Sequence, residues 1–307
     1  MGAAVREWLN GDESGKEMLI RVFRERPYLH LPPPFHKLPL RVGNVIELFG
    51  SSPSAKTHIL MHSAISCILP LRYGGLALLL LFIDLDCRFD VLRFSHLLRF
   101  RIAQMNHDEA DEEMLLGECM RRFLYIRCYD SLQFLATLKT IHYQLQRESE
   151  AQGITVSCMM IDSIGAFHWN DRASTSFHHG DSRKGLSLQN IWETVVLEIK
   201  KLMLVHPMLV IAAKGTIFRN QSATTKIGWN LKGPSVSSVP TNMKQFVHRE
   251  YMPSVWQSFV TLRIVVQAKD DHNHTERNRI YSSEWLLPSQ SFVDNFIVAE
   301  AGLIFVP

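Results

Sequence analysis

The residues best suited to chemistry sit in one run. Val45-Ile46-Glu47-Leu48-Phe49 leads straight into Gly50-Ser51-Ser52-Pro53-Ser54-Ala55-Lys56-Thr57, after which helical spacing begins. A strand, a loop of small residues and a helix opening on Lys-Thr follow the phosphate-loop pattern G-x-x-x-x-G-K-[ST]. In that pattern, backbone N–H groups and the helix N-terminus hold phosphate oxygens, the lysine neutralises them and the hydroxyl binds Mg²⁺. Gly50, Ser51, Ser52, Pro53, Ser54, Ala55, Lys56 and Thr57 are therefore the expected nucleotide-binding residues. Ala55 departs from the pattern: it stands where the second glycine belongs and puts a Cβ where glycine-only dihedrals or a close ligand approach are expected. Pro53 removes one N–H from the cradle. A tight strand-to-helix turn that contains Lys-Thr by chance is the alternative.

Carboxylates downstream favour the phosphate reading. Ser157-Cys158-Met159-Met160-Ile161-Asp162 is an apolar strand ending in Asp162, where a Walker-B carboxylate holds the Mg²⁺ shell with Thr57. A second strand ends Leu81-Phe82-Ile83-Asp84-Leu85-Asp86, and the carboxyl ends of strands line the ligand crevice of an open α/β sheet. Asp84 and Asp86 share a side if that strand continues, and Asp86 is the candidate catalytic base for a water. Aspartate is one methylene shorter than glutamate, about 1.5 Å less reach. An Asn or Gln sensing the γ-phosphate is expected after Met208–Ala212, but Ala213-Lys214-Gly215-Thr216 offers no amide.

These residues need strands and crossover helices to place them. Val45–Phe49, Leu76–Ile83, Phe123–Ile126, Val156–Ile161 and Met208–Ala212 are short and almost wholly apolar, as strands covered on both faces are. Between them, Lys56–Leu69, Val91–Gln104 with Asp90 as cap, Leu132–Glu148 and Leu186–Val205 read as helices. The alternation predicts an α/β fold with a mostly parallel central sheet and helices on both faces. Ahead of it, Asp12–Arg26 reads as an amphipathic helix with Ser14 and Glu17 as a capping box, and prolines make residues 27–40 an extended linker. The expected division is 1–40 helix and linker, 41–307 core. Asp108–Glu113 reads as a solvated loop; beyond Ser258, Phe259–Gln267, Ile280–Trp285 and Phe292–Ala299 read as a less regular, antiparallel extension.

Composition narrows the class. In 307 residues, 46% are hydrophobic and 33 basic residues meet 30 acidic ones, so a core is assured and a net charge of +3 excludes a polybasic nucleic-acid coat. The first ten residues hold no apolar signal core and the longest apolar run, Leu76–Ile83, is too short to span a membrane, so a soluble intracellular protein is expected. Cys67, Cys87, Cys119, Cys128 and Cys158 include no C-x-x-C pair, which points to reduced thiols, most of them in the core.

The order and spacing of Gly50–Thr57, Leu81–Phe89, Met159–Trp169 and Leu209–Thr216 resemble the RecA-type ATPase core of the eukaryotic recombinase paralogues. Asp12–Gly15, Cys67–Pro70, Phe89–Arg93, Arg249–Pro253 with Trp256-Gln257, and Phe296–Gly302 extend the resemblance, in a plant form, over nearly the whole chain. It implies a RecA-like core without the N-terminal helical DNA-binding domain, a nuclear role in homologous-recombination repair of double-strand breaks, and ATP with Mg²⁺ as cofactor. It also implies paralogue partners: the D paralogue directly, then B and C. Ala55, Asp86 in place of the catalytic glutamate, and Ala213-Lys214 in place of the amide sensor weigh against hydrolysis more than against the fold. A scaffold or assembly role is expected, with at most weak turnover; an active DNA-dependent ATPase is the alternative.

In such recombinases the loops after the Walker-B strand and after the next strand face DNA; here those are 170–187 and 215–253. From Lys214 to Glu250, Lys214, Arg219, Lys226, Lys232, Lys244 and Arg249 face the single acid Glu250, with Phe218, Trp229 and Phe246 interleaved. Arg219, Lys226, Trp229, Lys232, Lys244 and Arg249 are candidate contacts to single-stranded or branched DNA, since phosphates need cations and bases stack on rings; a basic loop without a ligand is the equal alternative. His178-His179 with Asp181 lack spaced partner ligands, so no zinc site is expected. Phe35-His36-Lys37-Leu38 either dock on a neighbouring ATPase domain or pack on their own core; the latter is the favoured expectation.

Overall fold

The computed structural model describes residues 14–25, 28–104, 109–176, 188–218, 248–269 and 279–306. Helices are α1 (Gly15–Glu25), α2 (Lys56–Ile68), α3 (Val91–Ala103), α4 (Glu109–Arg121), α5 (Ser131–Gln152), α6 (His168–Ser176), α7 (Leu188–Val205) and α8 (Ser254–Phe259). Strands are β1 (Val45–Gly50), β2 (Leu79–Asp84), β3 (Phe123–Arg127), β4 (Val156–Asp162), β5 (Leu209–Gly215), β6 (Ile217–Phe218), β7 (His248–Arg249), β8 (Leu262–Ala268), β9 (Ile280–Leu287), β10 (Ser289–Ala299) and β11 (Gly302–Val306).

Nine strands form one sheet in the order β11-β10-β9-β8-β1-β5-β4-β2-β3. From β8 to β3 all pairings are parallel, while β9, β10 and β11 add antiparallel, so the expected mixed α/β architecture is the one observed. Alternation along the central strands feeds two cores. Ile46, Leu48, Leu80 and Phe82 join one cluster with α2 and α3, and Val45, Leu79, Leu81 and Ile83 join the other with α5 and α7. Continuous apolar runs are what a sheet covered on both faces requires.

Local signals hold where expected. The Ser14 hydroxyl and Glu17 carboxylate cap α1 reciprocally, and Asp90 Oδ1 accepts from the N–H groups of Leu92 and Arg93 at the start of α3. Residues 28–40 are extended only in part, since Phe35–Lys37 make a single 3₁₀ turn, and they are not free: Leu29 bridges Leu40, Trp285 Nε1 donates to Pro34 O, and Phe35 is fully buried in the chain's own core.

Four local expectations are corrected. Glu109–Glu113 belong to α4 rather than a solvated loop, because Leu115, Leu116 and Cys119 supply a buried stripe and acidic residues suit a helix's first turn. β3 is an edge strand with Tyr125 exposed, not a strand covered on both faces. Phe259 ends α8, and the following strand starts at Leu262. β11 is an additional strand, made by the short run after Gly302. All five cysteines are free, and four of them are buried. No helix among the described residues is long and apolar enough to cross a membrane.

Candidate functional site

β1 delivers the loop and β8 shapes its start: a Cβ on Gly50 would lie 2.0 Å from Val266 O, so only glycine fits there. The loop then turns through Ala55 at φ 60°, ψ 16°, the left-handed region. An alanine there carries the strain that glycine would avoid, roughly 1–2 kcal/mol. The Ala55 carbonyl still accepts from Ile59 N and begins α2.

Lys56 folds back over its own loop. Its Nζ donates to Gly50 O at 2.8 Å, Ser51 O at 3.1 Å and Ser54 Oγ at 2.8 Å. Burial brings its pKa down to about 8, against the pull of Asp162 and Asp86. Thr57 Oγ1 donates to Asp162 Oδ2 at 2.6 Å, joining the hydroxyl and carboxylate that the sequence pairs for Mg²⁺. Burial raises Asp162 to about 6; the Thr57 hydrogen bond and Lys56 oppose this, while Asp86 adds to it. Hard oxygen donors beside a lysine-lined phosphate cradle fit Mg²⁺, which takes one or two protein oxygens and completes its shell from phosphate and water. Among the described residues no group of three or more His, Cys, Asp or Glu side chains could hold a metal by itself.

The two second-strand aspartates separate. β2 stops at Asp84, whose buried carboxylate accepts from Tyr125 Oη at 2.8 Å and Phe89 N at 3.3 Å and lies 3.5 Å from Arg127. The chain then turns, with Leu85 N and Asp86 N donating to Asp162 O, and this sets Asp86 beside the phosphate loop. The same-side expectation for Asp84 and Asp86 is therefore corrected: Asp84 is consumed by β3, and only Asp86 faces the cleft.

That cleft, about 800 Å³, runs from Ser52–His58 past Asp86 and Asp162 to a wall that sequence reasoning missed: Arg88, Arg93, Arg279, Tyr281 and Glu300. Arg93 carried a signal, being the third residue after the Asp90 cap. Arg279 and Tyr281 come from the antiparallel extension and carried none.

At the end of β5, where an amide was sought, Lys214 is buried in a charge cluster. Its Nζ lies 3.1 Å from Glu47 Oε1 and 2.8 and 3.0 Å from the Glu250 oxygens. Trp256 Nε1 donates to Glu47 Oε1 at 2.7 Å, and Arg263 Nε lies 3.2 Å from Glu47 Oε2 as a charge pair without hydrogen-bond alignment. Burial pushes Glu250 up, but the Lys214 hydrogen bond and charge with the Met252 N–H outweigh it and leave the carboxyl low. Glu47, a lone acid inside an apolar strand, was the unread signal. Of the DNA-contact candidates, Arg219, Lys226, Trp229, Lys232 and Lys244 lie outside the described residues, as do His178, His179 and Asp181; the Arg249 backbone pairs with Ile217.

A strand–loop–helix phosphate cradle between β1 and α2, acids at the ends of β2 and β4, and parallel strands extended by an antiparallel edge define a RecA-like core. The chain is 45% identical to the DNA repair protein XRCC2 homolog of Arabidopsis thaliana, over 95% of this chain and 88% of that protein. It is 29% identical to the DNA repair protein XRCC2 of Mus musculus, over 95% of this chain and 97% of that one. The chain belongs to the XRCC2 family. No general protein-family model matches it.

Proposed function

We propose that this chain acts in homologous-recombination repair of DNA double-strand breaks, in the nucleus, as a structural subunit of a recombinase-paralogue complex. Its direct partner is the D paralogue, and the pair joins B and C. ATP with Mg²⁺ binds the Gly50–Thr57 loop, Lys56 meeting the phosphates and Thr57 with Asp162 holding the metal; bound there, Mg-ATP steadies the subunit interface. Single-stranded or branched DNA is contacted within the complex, with Arg219, Lys226, Trp229, Lys232, Lys244 and Arg249 as the candidate residues.

The observation that carries the structural role is Lys214. At the strand end where a hydrolytic site would want an uncharged amide on the γ-phosphate, this chain places a buried cation satisfied by its own carboxylates. The left-handed Ala55 in the cradle supports the same reading. Names of the two relatives supply the DNA-repair role.

The test is break repair in cells lacking the chain. Wild type is expected to restore repair, and Asp86→Asn to restore it to at least half that level with assembly intact. Loss of repair in Asp86→Asn and Lys56→Ala alike, with the complex still assembled, would establish the ATPase reading instead.

A further inference from the structure

The structure carries a second lysine-centred device beside the phosphate loop. β5 and β1 run in register, Phe49 opposite Lys214 and Gly50 opposite Gly215, and Thr216 N donates to Gly50 O. Immediately beyond, β6 and β7 pair antiparallel and form the root from which residues 219–247 leave and to which they return. Glu250 is the first residue past β7. Its Oε1 accepts from the N–H groups of Tyr251 and Met252 at 3.0 and 2.9 Å, while both oxygens reach Lys214.

The same ammonium reaches Glu47, three residues before Gly50 closes β1. Lys214 thus ties three stretches together: the strand feeding the phosphate loop, the strand entering the root and the backbone turn leaving it. Two acids and two bases, Glu47 and Glu250 with Lys214 and Arg263, leave the cluster neutral, so it needs no outside counter-ion. Its effect reaches the surface. Tyr251 lies beneath the Lys214 charge and packs so tightly on Gly165 that a Cβ there would sit 2.2 Å from its hydroxyl. Tyr251 also meets His168 and the half-exposed Trp169.

We propose that Lys214 is a latch that holds the β6–β7 root and the Tyr251–Trp169 ledge against β1 through Glu250 and Glu47, independently of any ligand in the phosphate loop. In a neutral cluster built around the fully buried Lys214 and Glu47, each member depends on the others, because removing one leaves an uncompensated partner. The root is then a preset feature of the fold: although Gly215 lines the cleft and Gly50 O accepts from both Lys56 and Thr216, the charge cluster holds the root whether or not the phosphate loop is filled.

Amide hydrogen exchange of the full chain tests this, because exchange reads local opening directly. In nucleotide-free wild type, the amides of Thr216, Tyr251 and Met252 are expected to be protected. Glu250→Gln, which keeps the shape and removes the charge, is expected to speed their exchange at least tenfold while β2 and β4 stay unchanged. Lys214→Met is expected to do the same, and the double variant no more than the worse single one. Exchange in Glu250→Gln within twofold of wild type, or independent and multiplying effects in the double variant, would overturn the latch. These arms use no nucleotide, so they stand or fall apart from the ATP reading. Adding a non-hydrolysable Mg-ATP analogue to wild type is expected to change the root amides less than twofold; a tenfold slowing would show a ligand-set root and refute the proposal.

Discussion

Two lysines, Lys56 half-buried at the start of α2 and Lys214 fully buried at the end of β5, lie near the carboxyl ends of neighbouring strands and live in opposite surroundings. Lys56 bonds only to neutral oxygens of its own loop, its pKa is brought down to about 8, and the carboxylates around it act from a distance. Lys214 touches three carboxylate oxygens and belongs to a cluster with equal acids and bases. The first arrangement destabilises its own cation and so favours an incoming anion; the second satisfies its cation within the chain. The more deeply buried lysine is the one with matched counter-charges, so what separates the two is the presence of carboxylates in contact with the ammonium rather than burial.

The most severe way to break that contrast is to remove each charge in turn. Lys214→Met leaves the buried Glu47 and the half-buried Glu250 without their shared cation and is expected to lower stability by about 3 kcal/mol, which lowers the melting temperature by roughly 5–10 °C. Lys56→Met exchanges a half-buried, penalised cation and three neutral hydrogen bonds for an apolar chain, and is expected to move stability by no more than about 1 kcal/mol. On the proposed ATP reading, the same change is expected to abolish binding of an ATP analogue. Equal losses of stability from the two variants, measured by denaturant unfolding, would erase the distinction.

The same division explains what could be read from the sequence. The strand–loop–helix of Gly50–Thr57 was legible because it is local, one strand, one turn and the first turn of α2, and Asp162 was placed at a strand end by the apolar run before it. The central strands were legible because burial on both faces leaves an unbroken apolar run. Glu47 was not, since its partners Lys214, Glu250, Trp256 and Arg263 lie far along the chain and meet it only through the β5-β1-β8 register. Edge position hid the half-exposed character of β3, and Asp84 was read beside Asp86 only if the strand continued, because nothing local announces Tyr125 Oη as its partner. Periodicity also failed at Glu109–Glu113, where charge density outweighed the buried stripe that follows.

A second contrast lies in how the acids answer to pH. Asp162 titrates near 6 in the fold against an ordinary 3.8, so as pH rises the unfolded chain gives up this proton first. The native state holds the extra proton between about pH 4 and 6, stability from this group falls across that window, and above it the carboxylate is a standing penalty of roughly 3 kcal/mol. Asp162→Asn is expected to remove that slope and to raise stability at pH 7 by about 1–2 kcal/mol, part of the relief being offset by the weaker Thr57 hydrogen bond. It is also expected to remove the Mg²⁺-dependent part of nucleotide affinity. In the parent protein, protons compete with the metal, so that part should weaken about tenfold between pH 7 and pH 5. An unfolding free energy with the same pH slope in parent and variant would show that Asp162 is not the group responsible.

The smallest expected effect is the most specific to this chain. Ala55 sits at φ 60° and ψ 16°, so its methyl group is held in a conformation that disfavours any side chain by about 1–2 kcal/mol. Glycine removes that strain but makes the unfolded chain more flexible, which returns about 0.4–1 kcal/mol. The net gain expected from Ala55→Gly is therefore about 0.5–1 kcal/mol, with no change in denaturant slope. Binding should respond more than folding does, because the Cβ lies in the turn where backbone N–H groups approach phosphate. ATP-analogue affinity is expected to rise three- to tenfold, while the Lys214 cluster, outside the cradle, keeps the same hydrogen-exchange protection. If the glycine stabilises the chain without tightening binding, strain and ligand approach are separable at this position and Ala55 is no barrier to phosphate. If it tightens binding without stabilising, the left-handed backbone carries no strain in the free protein and the methyl group acts only on the ligand.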